Sequence, residues 1–434
     1  MAHGSRTSVL VALCFGAAEA IPGIEGPYAP DRVIVGFKSG VATSQSAQAK
    51  AGIQHVRSLV ASQGPQLFKI TDGSSVEEKV AQLSQQPGIA YAEPDYIVSI
   101  ARTPNDPDFS KQWFHTAINS PTAWDTVTNA KLAQVKVCHI DSGARADHPD
   151  LVGSILDGWN FVPVSNDLAD YPVPRDSPEF KVIMDANGHG TLTAGIIAGT
   201  GNNGQGVAGV AWSANLLVCR FIWADGTGYV SDAASCLDLC REAGAFVSSN
   251  SWVAPELTQS MTEAILQASA ANQLFVAASG NQGLNTDVTT MFPPSLFLNS
   301  GFDSSHVITV GSVDQANALS YFSNFGQQTV TLAAPGQNIV STALTSSYGP
   351  ADGTSMSCPQ VVGVLALMKA YALGRSRDVS AVQLKALLLE GATAVPTLKF
   401  SLQSGKVLNS YGAVQALVRF LSSPAPPPPR PPPP

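Results

Sequence analysis

Four side chains in this sequence have the types and settings that acyl hydrolysis requires: a carboxylate, an imidazole, a hydroxyl and an amide. Asp141 follows the run Val135-Lys136-Val137-Cys138-His139-Ile140 and opens the turn Asp141-Ser142-Gly143. A carboxylate there can point into a cleft while protein backs it. His189 lies in Asn187-Gly188-His189-Gly190-Thr191, whose glycines let the chain turn and leave the ring uncrowded. Ser355 lies in Asp352-Gly353-Thr354-Ser355-Met356-Ser357-Cys358-Pro359, just before a helix-forming stretch. The helix N-terminus and the Ser355 N–H favour developing negative charge there. Asn281, in Ala277-Ala278-Ser279-Gly280-Asn281, follows another apolar run and can offer its amide to the same oxyanion. Peptide hydrolysis needs these parts: a nucleophile, its base, a group orienting the base, and oxyanion donors. Singly, each also suits a structural post: Ser355 or Asp141 a cap, Asn281 a turn, His189 a satisfied loop histidine. The combination is the specific signal.

Positioning these groups falls to alternating strands and helices. Strands are expected at Val135 to Ile140, Leu216 to Ile222, Phe246 to Ser249, Leu274 to Ala278 and Val307 to Val310. Helices are expected at Thr191 to Ala198, Ser231 to Ala243, Thr258 to Ala271, Ser357 to Tyr371 and Ala381 to Leu389. Near-continuous apolar strands between helices predict an α/β domain with a mostly parallel sheet covered on both faces. Reactive groups in such a fold gather at the carboxyl ends of the strands.

The 434 residues suffice for one large domain and a smaller one. With 13% charged residues and a net charge of -8, the chain has no basic surface for nucleic acid. The first 20 residues read as a cleavable export signal: Arg6, the apolar run Val9 to Ala18, then Ala18-Glu19-Ala20. That run is too short to span a bilayer, and no later stretch reads as a membrane helix. Tyr28 to Ile100 reads as a small α+β unit, with a strand at Val33 to Phe37, a helix at Ser75 to Gln86 and a strand at Ile89 to Val98. Residues 101–108, Pro-punctuated and polar, read as an exposed linker before the main region, Phe109 to Leu421. The Pro-rich tail, residues 422–434, is suited to an extended rod or tether. Of six cysteines, Cys14 lies in the signal, leaving Cys138, Cys219, Cys236, Cys240 and Cys358. The odd number implies a free thiol; the pairing is open. Cys236 and Cys240, one helical turn apart, read as structural cysteines, because no partners complete a tetrahedral metal site.

The motifs, in the order Asp, His, Ser, resemble those of the subtilisin-like serine proteases, the subtilase (S8) family. Asp-Ser-Gly, Gly-His-Gly-Thr and Gly-Thr-Ser-Met-Ser-Cys-Pro all stand in place. His148-Pro149-Asp150-Leu151, Gly206-Val207-Ala208-Gly209-Val210-Ala211, Asn250-Ser251-Trp252, and Leu408-Asn409 with Ala413-Val414 agree with it. The resemblance covers nearly everything after Phe109. It implies a three-layer subtilisin-like domain in which Ser355 attacks, His189 moves the proton, Asp141 fixes the imidazole and Asn281 holds the oxyanion. Gly226-Thr227-Gly228 resembles the strand that pairs with substrate backbone, and Ser251-Trp252-Val253 the opposite wall.

The resemblance further implies that Tyr28 to Ile100, closing on Tyr91-Ala92-Glu93-Pro94-Asp95, is a ferredoxin-like inhibitory propeptide removed by cutting between Ile100 and Asp108. A structural Ca2+ ion is expected on Gln112, Asp150 and Asn203, with carbonyls of Gln205 and Val207. The partners implied are polypeptide substrates and the chain's own propeptide, with no nucleic acid, no membrane after signal removal, and a secreted monomer as the product. Three departures stand out. Leu192 and Gln360 replace histidines common in the family, which predicts altered packing rather than lost chemistry, and Val253 replaces a glycine and predicts a narrowed pocket. The competing reading is an inactive homologue serving as an extracellular binding scaffold; a Gly-x-Ser-x-Gly hydrolase is weaker, since Ser355 lacks that elbow.

Overall fold

The computed structural model describes residues 28–38, 48, 50–59, 64–96, 103–127 and 132–422. The expected export signal and all but the first residue of the Pro-rich tail lie outside them. Two compact units divide the chain after Ile100.

The N-terminal unit contains β1 (Tyr28–Phe37), β2 (Ile53–Ser58), β3 (Gln66–Ile70), α1 (Val76–Ser84) and β4 (Ile89–Tyr96). Its antiparallel sheet runs β2-β3-β1-β4, the strand order of a ferredoxin-like unit. Helix α1 starts where the sequence sets a capping box: the Ser75 side chain accepts the Glu78 N–H and Glu78 accepts the Ser75 N–H. Val33, Val35, Phe68, Val76 and Leu83 form the core. Lys79 is fully buried, and its ammonium donates to the Ala51 carbonyl at 2.9 Å and to Asp72 at 2.6 Å.

The larger unit opens with two short helices, α2 (Trp113–Ala117) and α3 (Ser120–Thr126). Then come β5 (Lys136–Asp141), β6 (Ile155–Asn160), α4 (His189–Ala198), β7 (Asn215–Arg220), α5 (Val230–Glu242), β8 (Val247–Asn250), α6 (Gln259–Ala270) and β9 (Leu274–Ala278). The chain finishes with β10 (Val307–Val313), β11 (Leu332–Pro335), the hairpin β12 (Ile339–Ala343) and β13 (Ser347–Ala351), α7 (Thr354–Gly374), α8 (Ala381–Gly391), β14 (Thr393–Ala394), β15 (Lys406–Val407) and α9 (Ser410–Ser422). The nine-stranded sheet runs β14-β15-β11-β10-β9-β8-β5-β7-β6 and is parallel except at β14. Strand β5 sits between β7 and β8, so the chain winds outward from it in both directions. That reversal opens a crevice at the carboxyl end of β5.

Side chains on successive strand residues serve opposite layers. Val137, Val218 and Val276 pack with α4 and α7, whereas Cys138, Cys219 and Phe275 pack with α5 and α6. His139 and Asp141 share the parity of Val137 and so face α4. Helix α7 is apolar all round, which corrects the expectation that no later stretch could pass for a membrane span. It is long and apolar enough, yet 89% of its most apolar window is buried, because it is the central helix of the core.

Two disulfides staple α5 to neighbouring strands, Cys138–Cys240 from β5 and Cys219–Cys236 from β7. Among the described residues Cys358 is the free thiol, buried, its pKa pushed up to about 12 by that burial. The linker departs from the exposed chain expected of it. Pro104 and Asp106 are buried, Asp106 accepts the Asn202 N–H at 2.6 Å, and the Asp108 N–H reaches the Gly206 carbonyl. Residues 104–108 are therefore built into the larger unit.

Closing the short loop between Cys219 and Cys236 is worth about 3 kcal/mol in the chain-entropy picture. In a Ser355→Ala background, which prevents autolysis, replacing both cysteines by serine should lower the denaturant midpoint by that much stability. An unchanged midpoint would contradict it.

Candidate functional site

The crevice at the end of β5 receives side chains from three places. Asp141 is buried there with 1% of its side chain exposed, and its Oδ1 accepts the Ser142 N–H at 2.7 Å and His189 Nδ1 at 2.8 Å. Glycine makes that approach possible. A Cβ on Gly190 would strike the Gly143 carbonyl, so the first turn of α4 lies directly on the turn after Asp141. Gly143 itself has φ +108°, a backbone that side chains rarely adopt. Behind the pair stands Asp185, a buried carboxylate that caps α4. It accepts the N–H groups of Asn187, Gly188 and Thr191, and the hydroxyls of Ser142 and Thr191.

Electrostatics follow from this enclosure. Burial pulls the His189 imidazole down, but the charge and hydrogen bond of Asp141, with the charge of Asp185, outweigh it and hold its pKa above the ordinary value. Burial pushes the Asp141 carboxyl up; the charge and hydrogen bond of His189, with His139 and the Ser142 N–H, bring it below the usual range.

Ser355 reaches the crevice through β8, the strand beside β5. Its hydroxyl donates to the Ser251 carbonyl at 3.0 Å, and the Ser251 hydroxyl donates to the Ser355 carbonyl at 3.1 Å. The second bond exists because of Pro359. Four residues on in α7, it has no N–H, which frees the Ser355 carbonyl. Ile140 pairs with Asn250, so the next residues, Asp141 and Ser251, stand on adjacent strand ends. Ser251, which clasps Ser355, therefore follows the strand that neighbours the one ending in Asp141. No hydrogen bond joins the Ser355 hydroxyl to His189 in this conformation.

Asn281 follows β9. Its Oδ1 accepts both the N–H and the hydroxyl of Thr354, at 2.9 and 2.8 Å. Two donors on one oxygen fix which end of the amide is which. The Nδ2 end is left to face Gly353, where a Cβ would come to 3.3 Å from it.

The two expected substrate walls meet in one pocket. Gly226, Thr227 and Gly228 line it with Trp252, Val253 and Ala254, over a floor that includes Phe221. Ser251 serves chiefly as the anchor of Ser355. Two of the departures sit in packing: the buried amide of Gln360 donates to the Pro335 carbonyl at 2.7 Å, and the partly buried Leu192 side chain packs against the core.

The expected metal ligands are only partly united. Asp150 Oδ1 accepts the Asn203 amide at 2.8 Å and Oδ2 the Val207 N–H at 2.9 Å, while the Asn203 oxygen accepts the Gln205 N–H. Gln112 is committed elsewhere, exchanging hydrogen bonds with the backbone of Ala208 and donating to Val340. Asp106, which the sequence reading passed over as linker, joins the same loop. Asp106 and Asp150 are both buried, with no cationic side chain paired to either among the described residues. Tyr348 lies over them, its phenol pushed up by burial and then by Asp150, Asp108 and Asp106. All four carboxylate oxygens accept N–H groups, from Asn202, Asn203 and Val207, and no cluster of three or more His, Cys, Asp or Glu side chains suited to a metal ion occurs among the described residues.

Also unforeseen were Asp185, Thr193 and His139. An aspartate just ahead of a helix start is a legible cap signal; the other two sit in apolar runs and give no such sign.

Comparison with known proteins agrees with this geometry. Residues 133–414 match the subtilase family, and residues 17–95 match the fervidolysin N-terminal prodomain. The chain is 32% identical to a thermophilic serine proteinase of Bacillus sp. (strain AK1), over 90% of this chain and 88% of that protein. It is 34% identical to thermitase of Thermoactinomyces vulgaris, over 72% of this chain and 99% of that protein. A solved protease from Pseudoalteromonas arctica PAMC 21717 superposes with a TM-score of 0.60 at 27% identity, covering 73% of this chain and all of that one. A buried carboxylate–imidazole pair, a serine at a helix start and a matching N-terminal unit thus converge on one identity: this chain belongs to the subtilase family and is a serine-type endopeptidase with an N-terminal prodomain.

Proposed function

We propose that Asp141, His189 and Ser355 form the working triad, with Asn281 and the Ser355 N–H as the oxyanion hole. The observation that carries this is the 2.8 Å bond from His189 Nδ1 to the buried Asp141 carboxylate. Asp141 holds the Nδ1–H tautomer, so Nε2 is free to take a proton. As substrate enters, the Ser355 hydroxyl turns from the Ser251 carbonyl to His189 Nε2. It then attacks the scissile carbonyl as its proton passes to His189 Nε2; the C–N bond breaks and the amine leaves with that proton, giving an acyl-enzyme. The developing oxyanion meets the free amide end of Asn281, and water completes hydrolysis with His189 acting in reverse.

Substrate backbone lies between Gly226-Thr227-Gly228 and Ser251-Trp252-Val253. Val253 narrows the pocket for the residue before the cut and favours small side chains there. The N-terminal unit is read as an intramolecular inhibitor. Processing is assigned to the stretch between Ile100 and Asp108, ahead of Asn105, since Asp106 is anchored in the catalytic unit. Two disulfides favour maturation in an oxidising compartment, which supports export. A Ca2+ ion is assigned to the loop of Asp150, Asn203, Gln205 and Val207, with Asp106 as the second carboxylate in place of Gln112.

A fluorophosphonate probe should label Ser355, and Ser355→Ala should abolish both labelling and peptidase activity; an unlabelled, inactive wild type would favour the scaffold reading. Because His189 works as the neutral base and its pKa is raised, kcat/KM should fall with decreasing pH along a limb above about 6.5. A limb below that value would count against the Asp141 charge. Asn281→Ala should cost about a hundred- to a thousandfold in kcat, as in the subtilisin example of this effect. Chelator should lower the thermal midpoint, and Asp106→Asn should remove that response; an unshifted midpoint argues against the ion.

A further inference from the structure

The second oxygen of the Asp141 carboxylate is held by machinery the triad itself does not explain. Oδ1 carries His189 and the Ser142 N–H. Oδ2 accepts the Thr193 hydroxyl at 3.1 Å, from the second turn of α4. The Thr193 oxygen in turn lies 2.8 Å from Nε2 of His139, two residues before Asp141 on the same face of β5. All three side chains are buried, His139 and Thr193 fully.

Chemistry fixes the direction of this chain. A threonine hydroxyl has one proton, and four acceptors compete for it: Asp141 Oδ2, the carbonyls of His189 and Gly190 at 3.2 Å each, and His139 Nε2 if that atom is bare. A threonine in a helix ordinarily donates to the carbonyl four residues back. Were His139 Nε2 bare, the 2.8 Å contact would draw the proton, and a lone pair would face the carboxylate. With the proton on Nε2, His139 donates to Thr193 and leaves the hydroxyl to donate onward. Nε2 also lies 3.9 Å from Oδ2, where the negative charge favours a proton. The Nδ1 side agrees, since it has no partner and is buried. An unpartnered lone pair there is tolerable, whereas a second N–H on a charged ring would be stranded. Burial holds the His139 pKa below the ordinary value, against the opposing charges of Asp141 and Asp185 and together with that of His189.

We propose that Thr193 and His139 are positioning residues, a donor chain from His139 through Thr193 to Asp141 that fixes the plane of the triad carboxylate and hence the aim of His189. The proposal rests on the triad reading. It assigns a function to the only charged-capable side chain on this face of β5 other than Asp141 itself, and to a hydroxyl buried in an otherwise apolar turn.

Three variants test it: Thr193→Val, Thr193→Ser and His139→Leu, with Asp141→Asn as a control. Thr193→Val should lower kcat tenfold or more, on the order expected for losing a hydrogen bond to a buried charge, with KM unchanged. Thr193→Ser, which keeps the hydroxyl, should restore kcat to within about twofold of the wild type. His139→Leu should lower kcat with KM unchanged, and should add nothing once Thr193 is valine, since both act through one oxygen. Thermal midpoints separate folding losses from these effects. A Thr193→Val enzyme with wild-type kcat overturns the proposal; so does equal loss in Thr193→Ser, or a His139→Leu effect that simply multiplies with Thr193→Val. If wild type itself fails to react with a fluorophosphonate, the triad reading has failed instead; if wild type reacts and Asp141→Asn does not, that reading stands and the variants judge the chain alone.

Discussion

A single buried charge organises the larger unit. Asp141 carries its carboxylate to the end of β5, where almost none of it meets water. A charge so placed is costly unless each oxygen is answered by a donor. The surrounding sequence answers it. His189 and the Ser142 N–H take one oxygen, the Thr193 hydroxyl takes the other, and the glycines at 143 and 190 let the α4 turn come close enough. Reactivity and folding are here the same requirement. The groups that keep the carboxylate ionised inside the protein also give His189 its tautomer and its raised basicity.

The remaining architecture holds separate chain segments against that charge. Parallel pairing of β5 with β8 sets the distance to Ser251, and Ser251 clasps Ser355 by two reciprocal hydrogen bonds. Pro359 makes the clasp possible by withholding one helical N–H. Helix α7, buried on all sides, fixes where Thr354 stands, and Thr354 in turn orients the Asn281 amide. Each reactive group is therefore placed by a neighbour one step away, a rigidity that loops alone would not provide. The disulfides tie α5 to the two strands on the same side of the crevice and stiffen its opposite layer.

Much of this was legible from the residues. Apolar runs located β5, β7, β8, β9 and β10 to within a few positions, and the Ser75 and Glu78 pair marked the start of α1, because local chemistry sets both. Motif order pointed to Asp141, His189, Ser355 and Asn281, the four groups proposed to react. Short or irregular elements were not legible: β6 carries a bulge, while β14 and β15 have two residues each and exist only through tertiary pairing. The linker reading went astray at Asp106, since a Pro-Asn-Asp-Pro string looks solvent-exposed until the loop at 202–206 supplies its N–H groups. His139 and Thr193 were invisible for a similar reason. A polar residue within an apolar run acquires meaning only when the facing element is known. The cysteine pairing was open until α5 was placed over the sheet.

The account stands or falls on whether the Ser355 hydroxyl leaves the Ser251 carbonyl to work with His189. A crystal structure of the enzyme after reaction with a peptidyl phosphonate measures this directly. Phosphorus should be bonded to Ser355 Oγ, with one phosphonyl oxygen about 2.7–3.1 Å from both Asn281 Nδ2 and the Ser355 nitrogen. His189 Nε2 should stand within hydrogen-bonding distance of the adduct. An adduct on another residue, or an oxygen pointing away from Asn281 with His189 out of reach, would contradict it.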